Sequence, residues 1–284
     1  MRIVQNHTLA NEQIKAIEQL QDVALLPESL ENRVFLTSEM NVYKDLDCFF
    51  LGYEDNQLIS FLGAFFPSRK EVEFNGFTHP DHRRKGHFTR LVEHALSLYK
   101  AYPFNQALFQ RELNSKSGLS YLHKRYPELD RSEYLMTLEK QHWNNKQQIG
   151  TLELVAEHNK EETITVMSDA FEETRDESTH VLSYLLASTE RKVFLYRYED
   201  KAVGVLNAAM EEGVWVVHGV GIIHECRNQG MGRRMLSLAF DRLFKDADTI
   251  QLEVDSQNPP ALALYQKLGF STTSQVDYHR LILR

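Results

Sequence analysis

Self-similarity constrains this chain more than any other feature of its sequence. Adding 144 to a residue number carries Arg83 onto Arg227, Gly86 onto Gly230, Asn114 onto Asn258, Tyr121 onto Tyr265, Tyr126 onto Phe270 and Tyr134 onto Tyr278. Upstream, Tyr53-Glu54-Asp55 matches Tyr198-Glu199-Asp200 at an offset of 145, so the copies differ in length by one residue, most naturally at the turn PSRK in one and EEG in the other. A period this long signals duplication of a whole domain rather than a solenoid. The chain divides accordingly into a domain at 1–140, a polar linker at 141–150 and a domain at 151–284.

Within the second copy, LELVA reads as a short strand and Glu161 to Leu186 as two helical stretches around the acidic FEETRDEST. VFLYRY and AVGVLNAAM flank a tight turn as a hairpin, and VWVVHGVGII is a further strand rich in β-branched residues. Met235, Leu236, Ala239, Phe240 and Leu243 recur at helical spacing. IQLEV follows as a strand, NPPALALYQKLGF as a helix with prolines in its first turn and Gly269 as its stop, and YHRLIL closes the sheet. The first copy reads the same way, ending in YLMTLE.

At 284 residues, 42% hydrophobic and 25% charged, the chain has the composition of a soluble globular protein. No apolar run approaches the roughly 18 to 20 residues of a membrane span, and MRIVQNHTLA has no signal-peptide core, so the cytoplasm is the default address. Cys48 and Cys226 form no ligand spacing and read as free thiols. A net charge of −8 argues against a nucleic-acid partner, which would need a concentrated basic face.

The segment RNQGMGRR, where a strand turns into a helix, is a ready anion site: helix-start N–H groups are free, and glycines let a phosphate approach the backbone. It is neither a dinucleotide fingerprint, whose third glycine position holds Met235, nor a P-loop. The R-x-x-G-x-G pattern that remains, with LEVDSQNPPALALYQKLGF downstream, resembles the two signatures of the GCN5-related N-acetyltransferase (GNAT) superfamily. The residues carrying the second signature are Glu253, Asn258, Ala261, Leu264, Tyr265, Gly269 and Phe270. The resemblance covers the whole chain as tandem domains, and implies an α/β fold in which each domain is a mixed, mostly antiparallel sheet flanked by helices.

The resemblance also implies acetyl-CoA or another acyl-CoA as cosubstrate, a primary-amine acceptor such as a peptide N-terminus, lysine or small-molecule amine, and no metal. Carried over, Val220, Gly221 and Ile222 give backbone contacts to the pantetheine arm, and Arg227, Asn228, Gln229, Gly230, Met231, Gly232 and Arg233 hold the pyrophosphate. Asn258 caps the next helix and contacts the cofactor. Tyr265 falls at the general-acid position, and Glu253 is the candidate base with His218 in reserve, against bland readings as core aromatic, solvated strand residue and structural histidine.

In the first copy a weaker set comprises Thr78, Arg83, Arg84, Lys85, Gly86, His87, Phe88 and Asn114. Phe88 replaces Gly232 and Phe109 replaces Glu253, so the first copy reads as degenerate and the second as catalytic. His79, His82 and His87 lack an accompanying carboxylate pattern and read as surface. Asp169, Glu172, Glu173, Asp176 and Glu177 suggest an acidic rim for a cationic acceptor, or a solvated helix face. The rival from another class is a non-catalytic acyl-CoA-binding or regulatory module.

Overall fold

A computed structural model describes residues 1–30, 32–144 and 149–283, so residues 145–148 of the expected linker lie outside the described residues. In chain order the first repeat supplies β1 (Arg2–Asn6), α1 (Asn11–Leu25), β2 (Phe49–Glu54), β3 (Gln57–Phe65), β4 (Glu71–Thr78), α2 (His87–Tyr99), β5 (Gln106–Glu112), α3 (Lys116–Arg125) and β6 (Leu129–Glu139). The second supplies β7 (Thr151–Leu154), α4 (Lys160–Phe171), α5 (Arg175–Leu186), β8 (Arg191–Tyr198), β9 (Lys201–Glu211), β10 (Val214–Ile222), α6 (Met231–Leu243), β11 (Thr249–Asp255), α7 (Pro259–Lys267) and β12 (Ser271–Ile282). Among the described residues no helix is long and apolar enough to cross a membrane.

The two compact units are not the two repeats. One comprises Met1–Ser132 with Gln275–Arg284, the other Glu133–Ser274. In the first, β5 pairs antiparallel with β12, from Val276↔Glu112 to Ile282↔Gln106. In the second, β11 pairs with β6, from Asp255↔Glu133 to Thr249↔Glu139. Each repeat thus lends its last strand to the other's sheet, correcting the domain limits 1–140 and 151–284 and the reading of YHRLIL as closing its own copy. Alternating apolar residues specify which face of a strand is buried, but two homologous strands satisfy either sheet edge equally. Side chains decide here: Met136 and Leu138 are fully buried in the second unit's core, while Leu281 and Leu283 pack on the first.

A buried polar lock holds the exchanged strand in the first unit. Arg111 on β5 pairs with Asp277, their side chains only 6% and 8% exposed. Asp277 Oδ1 accepts from Ser132 Oγ at 2.8 Å and Gln275 Nε2 at 2.7 Å, and Arg131 lies 4.3 Å over the Tyr278 ring. Burial pushes the Asp277 pKa up, but hydrogen bonds from Gln275 and Ser132 and the Arg111 charge outweigh it and leave the carboxyl below its ordinary value.

The β2–β3 and β8–β9 hairpins turn on two residues with positive φ, Asp55 and Asn56 (49° and 64°) and Glu199 and Asp200 (49° and 62°), the pattern that matches strand twist. The sheets are mixed because one pair in each is parallel: β4–β5 from Glu71↔Gln106 to Phe74↔Phe109, and β10–β11 from Trp215↔Ile250 to Val217↔Leu252. Beyond those pairs the parallel strands part, and the loop into α2 or α6 follows. On α6, Met235, Leu236, Ala239, Phe240 and Leu243 are all 0% exposed, so the helical stripe read from sequence seats this helix on the sheet.

Candidate functional site

In the second unit the sheet opens where β10 leaves β11. The β9–β10 register slips between His218 and Gly221, a bulge with Gly219 at φ 53°. Such a bulge withdraws backbone groups from the ladder and re-aims the strand. Val220 lies in it, and Gly221 and Ile222 resume pairing with Val205 and Gly204, so all three expected pantetheine contacts fall on the segment that has left β11.

The loop that follows has the conformation an anion needs. Asn228 and Gly230 take φ 60° and 78°, and Gly230 caps α6 without a side-chain hydrogen bond, leaving the first-turn N–H groups of Met231, Gly232 and Arg233 available. A Cβ on Gly230 would meet nothing within 4 Å, whereas one on Gly232 would stand 3.4 Å from Leu264 Cδ2. The cradle therefore fits a pyrophosphate by its backbone. The Met231 side chain is buried in the core, Arg233 is exposed, and Gln229 Nε2 donates back to Glu225 O at 2.7 Å.

Arg227 is placed differently from its reading as a phosphate ligand. Its Nε donates to Ile222 O at 3.1 Å and an Nη to Ala170 O at 2.8 Å, tying the end of β10 to the end of α4. Arg83 repeats this with Thr78 O at 3.2 Å and Ala24 O at 2.8 Å. The shared arginine is a brace between strand and helix, which explains its retention in both copies without recourse to a ligand.

Pleating puts His218, Asn207, Glu211, Arg191, Glu253 and Glu133 on one sheet face, from the registers His218↔Asn207, Val214↔Glu211, Arg191↔Ala209, Val216↔Gln251 and Asp255↔Glu133. The Glu253 side chain is exposed on this face, and partial desolvation by the atoms around it, then the charges of Glu133 and Glu211, push its pKa up. His218 Nε2 is buried without a hydrogen-bond partner, and burial followed by the Arg191 charge lowers its pKa. Two groups able to accept a proton, one carboxyl raised and one imidazole lowered, thus share the face beside the end of the β10–β11 pairing. Glu211 and Glu133 escaped sequence reading; Glu133 reaches this face only because β6 is exchanged.

The acidic run around the end of α4 makes local contacts. Asp169 Oδ1 accepts from His224 N at 2.6 Å, Glu172 stands 3.7 Å from Arg227, Glu173 accepts from Ser178 Oγ at 3.2 Å, and Glu177 closes a capping box with Thr174. Asp176 sits in the first turn of α5. These charges serve helix ends, as their spacing beside Thr174 allows. Beneath α4 and α5 lies a cavity of about 170 Å³ lined by Phe171, Val193, Asn207 and the bulge residue Gly219 among others.

Asn258 caps α7, its Oδ1 accepting from Ala261 N at 3.2 Å. Tyr265, 6% exposed, packs near Phe270, and burial raises its pKa to about 12. Its hydroxyl makes no hydrogen bond among the described residues.

The first unit keeps the loop but changes what surrounds it. Arg84 and Gly86 take φ 63° and 83°, the backbone of Asn228 and Gly230. The β3–β4 register runs without a bulge. From the ends of β5 and β11, Glu112 and Asp255, the spacing across strand and helix is 143, not 144. The cap of α3 is then Ser115, which accepts from Gly118 N at 3.1 Å, not Asn114. Gln110 rather than Phe109 matches Glu253, Tyr121 matches Leu264, and buried Leu122 matches Tyr265. Phe88 meets Tyr121 edge-on at 5.2 Å, as Gly232 meets Leu264.

At this splay lies a cavity of about 680 Å³, lined by Phe88, Tyr121, Arg84, Lys116, Lys124 and Arg125 among others, with Thr78, Arg83, Gly86 and His87 also on its wall. Lys85 sits at the tip of the loop and is exposed. His87 is 6% exposed and neither ring nitrogen has a hydrogen-bond partner among the described residues, which corrects its reading as a surface residue.

Residues 151–270 match the family described as Acetyltransferase (GNAT) family. A 68-residue stretch is 35% identical to the mycothiol acetyltransferase of Streptomyces griseus subsp. griseus, and covers 24% of this chain and 22% of that protein. The fold is similar to a GCN5-related N-acetyltransferase from Sphaerobacter thermophilus, with a TM-score of 0.78 at 15% identity over 99% of this chain and 96% of that one. It is also similar to a tandem GNAT protein from the clavulanic acid biosynthesis pathway, without AcCoA, with a TM-score of 0.73 at 12% identity over 99% and 98% of the two chains.

Proposed function

We propose that this chain, which belongs to the GNAT acetyltransferase family through residues 151–270, transfers an acyl group from acyl-CoA to a primary amine in its second unit. The observation that carries the reading is one coincidence. The bulged, splayed β10, the open N-terminus of α6 and the proton-accepting face of Glu253 and His218 belong to a single mouth.

Bound acyl-CoA supplies an activated thioester. The N–H groups of Met231, Gly232 and Arg233 hold its pyrophosphate, and the free edge of Val220 to Ile222 orients its arm. Glu253 takes the proton of the incoming amine, with Glu133 and Glu211 favouring a cationic acceptor before it is deprotonated. Tyr265 Oη holds the proton that the leaving sulfur requires. At about 12 its pKa stands more than three units above the thiol reference of about 8.5. A hydrogen bond, with transfer completed only as the sulfur is desolvated, fits that gap better than free proton donation.

The first unit lacks the bulge, the glutamate and a tyrosine at the position of Tyr265, where it has Leu122, yet keeps the loop backbone and a cavity of about 680 Å³ with cationic walls. These features favour an anion-binding, non-catalytic role for it. Native mass spectrometry with acetyl-CoA, combined with thiol release over a panel of primary amines, tests the reading: cofactor binding with amine-dependent thiol release supports it. Binding without release for any amine, across the Glu253→Gln and parent proteins alike, supports the non-catalytic module instead.

A further inference from the structure

We propose that Glu54, His82 and His87 form a binding site for a borderline divalent cation of the zinc class at the rim of the first unit's cavity. The three come from separate places in the sequence: Glu54 ends β2, His82 lies in the turn after β4, and His87 opens α2. Their ligand atoms all lie within 4.8 Å of one another. Glu54 Oε2 stands 3.2 Å from His82 Nδ1 and 3.9 Å from His87 Nε2. Ligands at about 2.0–2.1 Å in a tetrahedral zinc site are separated from each other by roughly 3.3 Å, so small adjustments would seat an ion.

Hydrogen bonding does not explain the cluster. His82 Nδ1 and both nitrogens of His87 are buried without a hydrogen-bond partner, so the approach to Glu54 is close but not directed as a hydrogen bond. The His87 side chain is only 7% exposed, and burying an imidazole with neither nitrogen satisfied carries a cost that a metal bond would offset. His79 is not a member: its Nδ1 accepts from Asp81 N at 3.3 Å in the intervening turn.

Two imidazoles and one carboxylate select zinc and its neighbours over calcium or magnesium, which prefer all-oxygen shells. Three protein ligands leave a coordination position open, and both histidines line the cavity. The ion would clamp the β2–β3 hairpin to the loop Arg83–Gly86, and this does not depend on acyl transfer in the second unit.

The full-length protein, stripped with a chelator, is titrated with zinc chloride in competition with a chromogenic indicator, and with cobalt chloride to read visible absorption. One zinc per chain is expected, with affinity falling about tenfold or more in Glu54→Gln and in His82→Gln. Zinc should raise the melting temperature of the parent but not of these variants, whose folding is checked by circular dichroism. Absence of zinc binding by the parent overturns the proposal, as does unchanged affinity in both folded variants.

Discussion

Replacing Asp277 tests the strand exchange, because a residue on the last strand, β12, should then govern the stability of the first unit. Asp277→Ala leaves the Arg111 guanidinium buried without its counter-charge. Breaking a buried pair from one side costs about 3–5 kcal/mol. Arg111 retains a bond to Leu113 O at 2.7 Å, which argues for the lower end, about 3 kcal/mol. For a unit of this size that is a fall of roughly 10 °C in melting temperature.

Both tryptophans, Trp143 and Trp215, lie in the second unit, so fluorescence reports that unit while circular dichroism reports both. The dichroism transition should gain an early phase that tryptophan emission does not share. Because folding holds the carboxyl below its ordinary pKa, the pair's contribution is present above the unfolded value of about 3.9 and is lost as pH falls through the folded one. The early phase should therefore merge with the parent's behaviour in acid. Arg111→Met with Asp277→Leu should recover most of the loss. A single variant melting within about 2 °C of the parent, or a shift confined to tryptophan emission, would refute the reasoning.

Glu253→Gln should lower kcat/KM for the amine by about 10²-fold or more and abolish the rise in rate above the ordinary carboxylate range. A preserved pH profile would transfer the base role to His218. Tyr265→Phe should reduce kcat by about 10²-fold with little change in KM for acyl-CoA, measured by thiol release, and full activity would sink its assignment. Gly232→Phe, which copies Phe88 into a position where a Cβ already meets Leu264 at 3.4 Å, should weaken acyl-CoA binding about tenfold by calorimetry while leaving the melting temperature nearly unchanged. Arg227→Met should instead destabilise the second unit with acyl-CoA affinity nearly intact, since its donors go to Ile222 O and Ala170 O.

What the chain declared by itself was periodic and local. The helical stripe on α6, the glycine turn and the cap at Asn258 arise from neighbouring residues, and each stands where its pattern implied. The connection from α2 to β5 is one residue longer than that from α6 to β11, so a constant offset of 144 carries Glu253 onto Phe109 and Tyr265 onto Tyr121, whereas the elements match them to Gln110 and Leu122. Contacts at long separation were invisible for a different reason. Glu54 beside His87 depends on how α2 packs on its sheet, and Glu133 with Glu253 and Asp277 with Arg111 depend on which sheet edge a strand joins. That choice rests on side-chain complementarity summed over a whole strand, since the apolar alternation of β6 and β12 permits either partner and only the assembled core and its buried charges distinguish them.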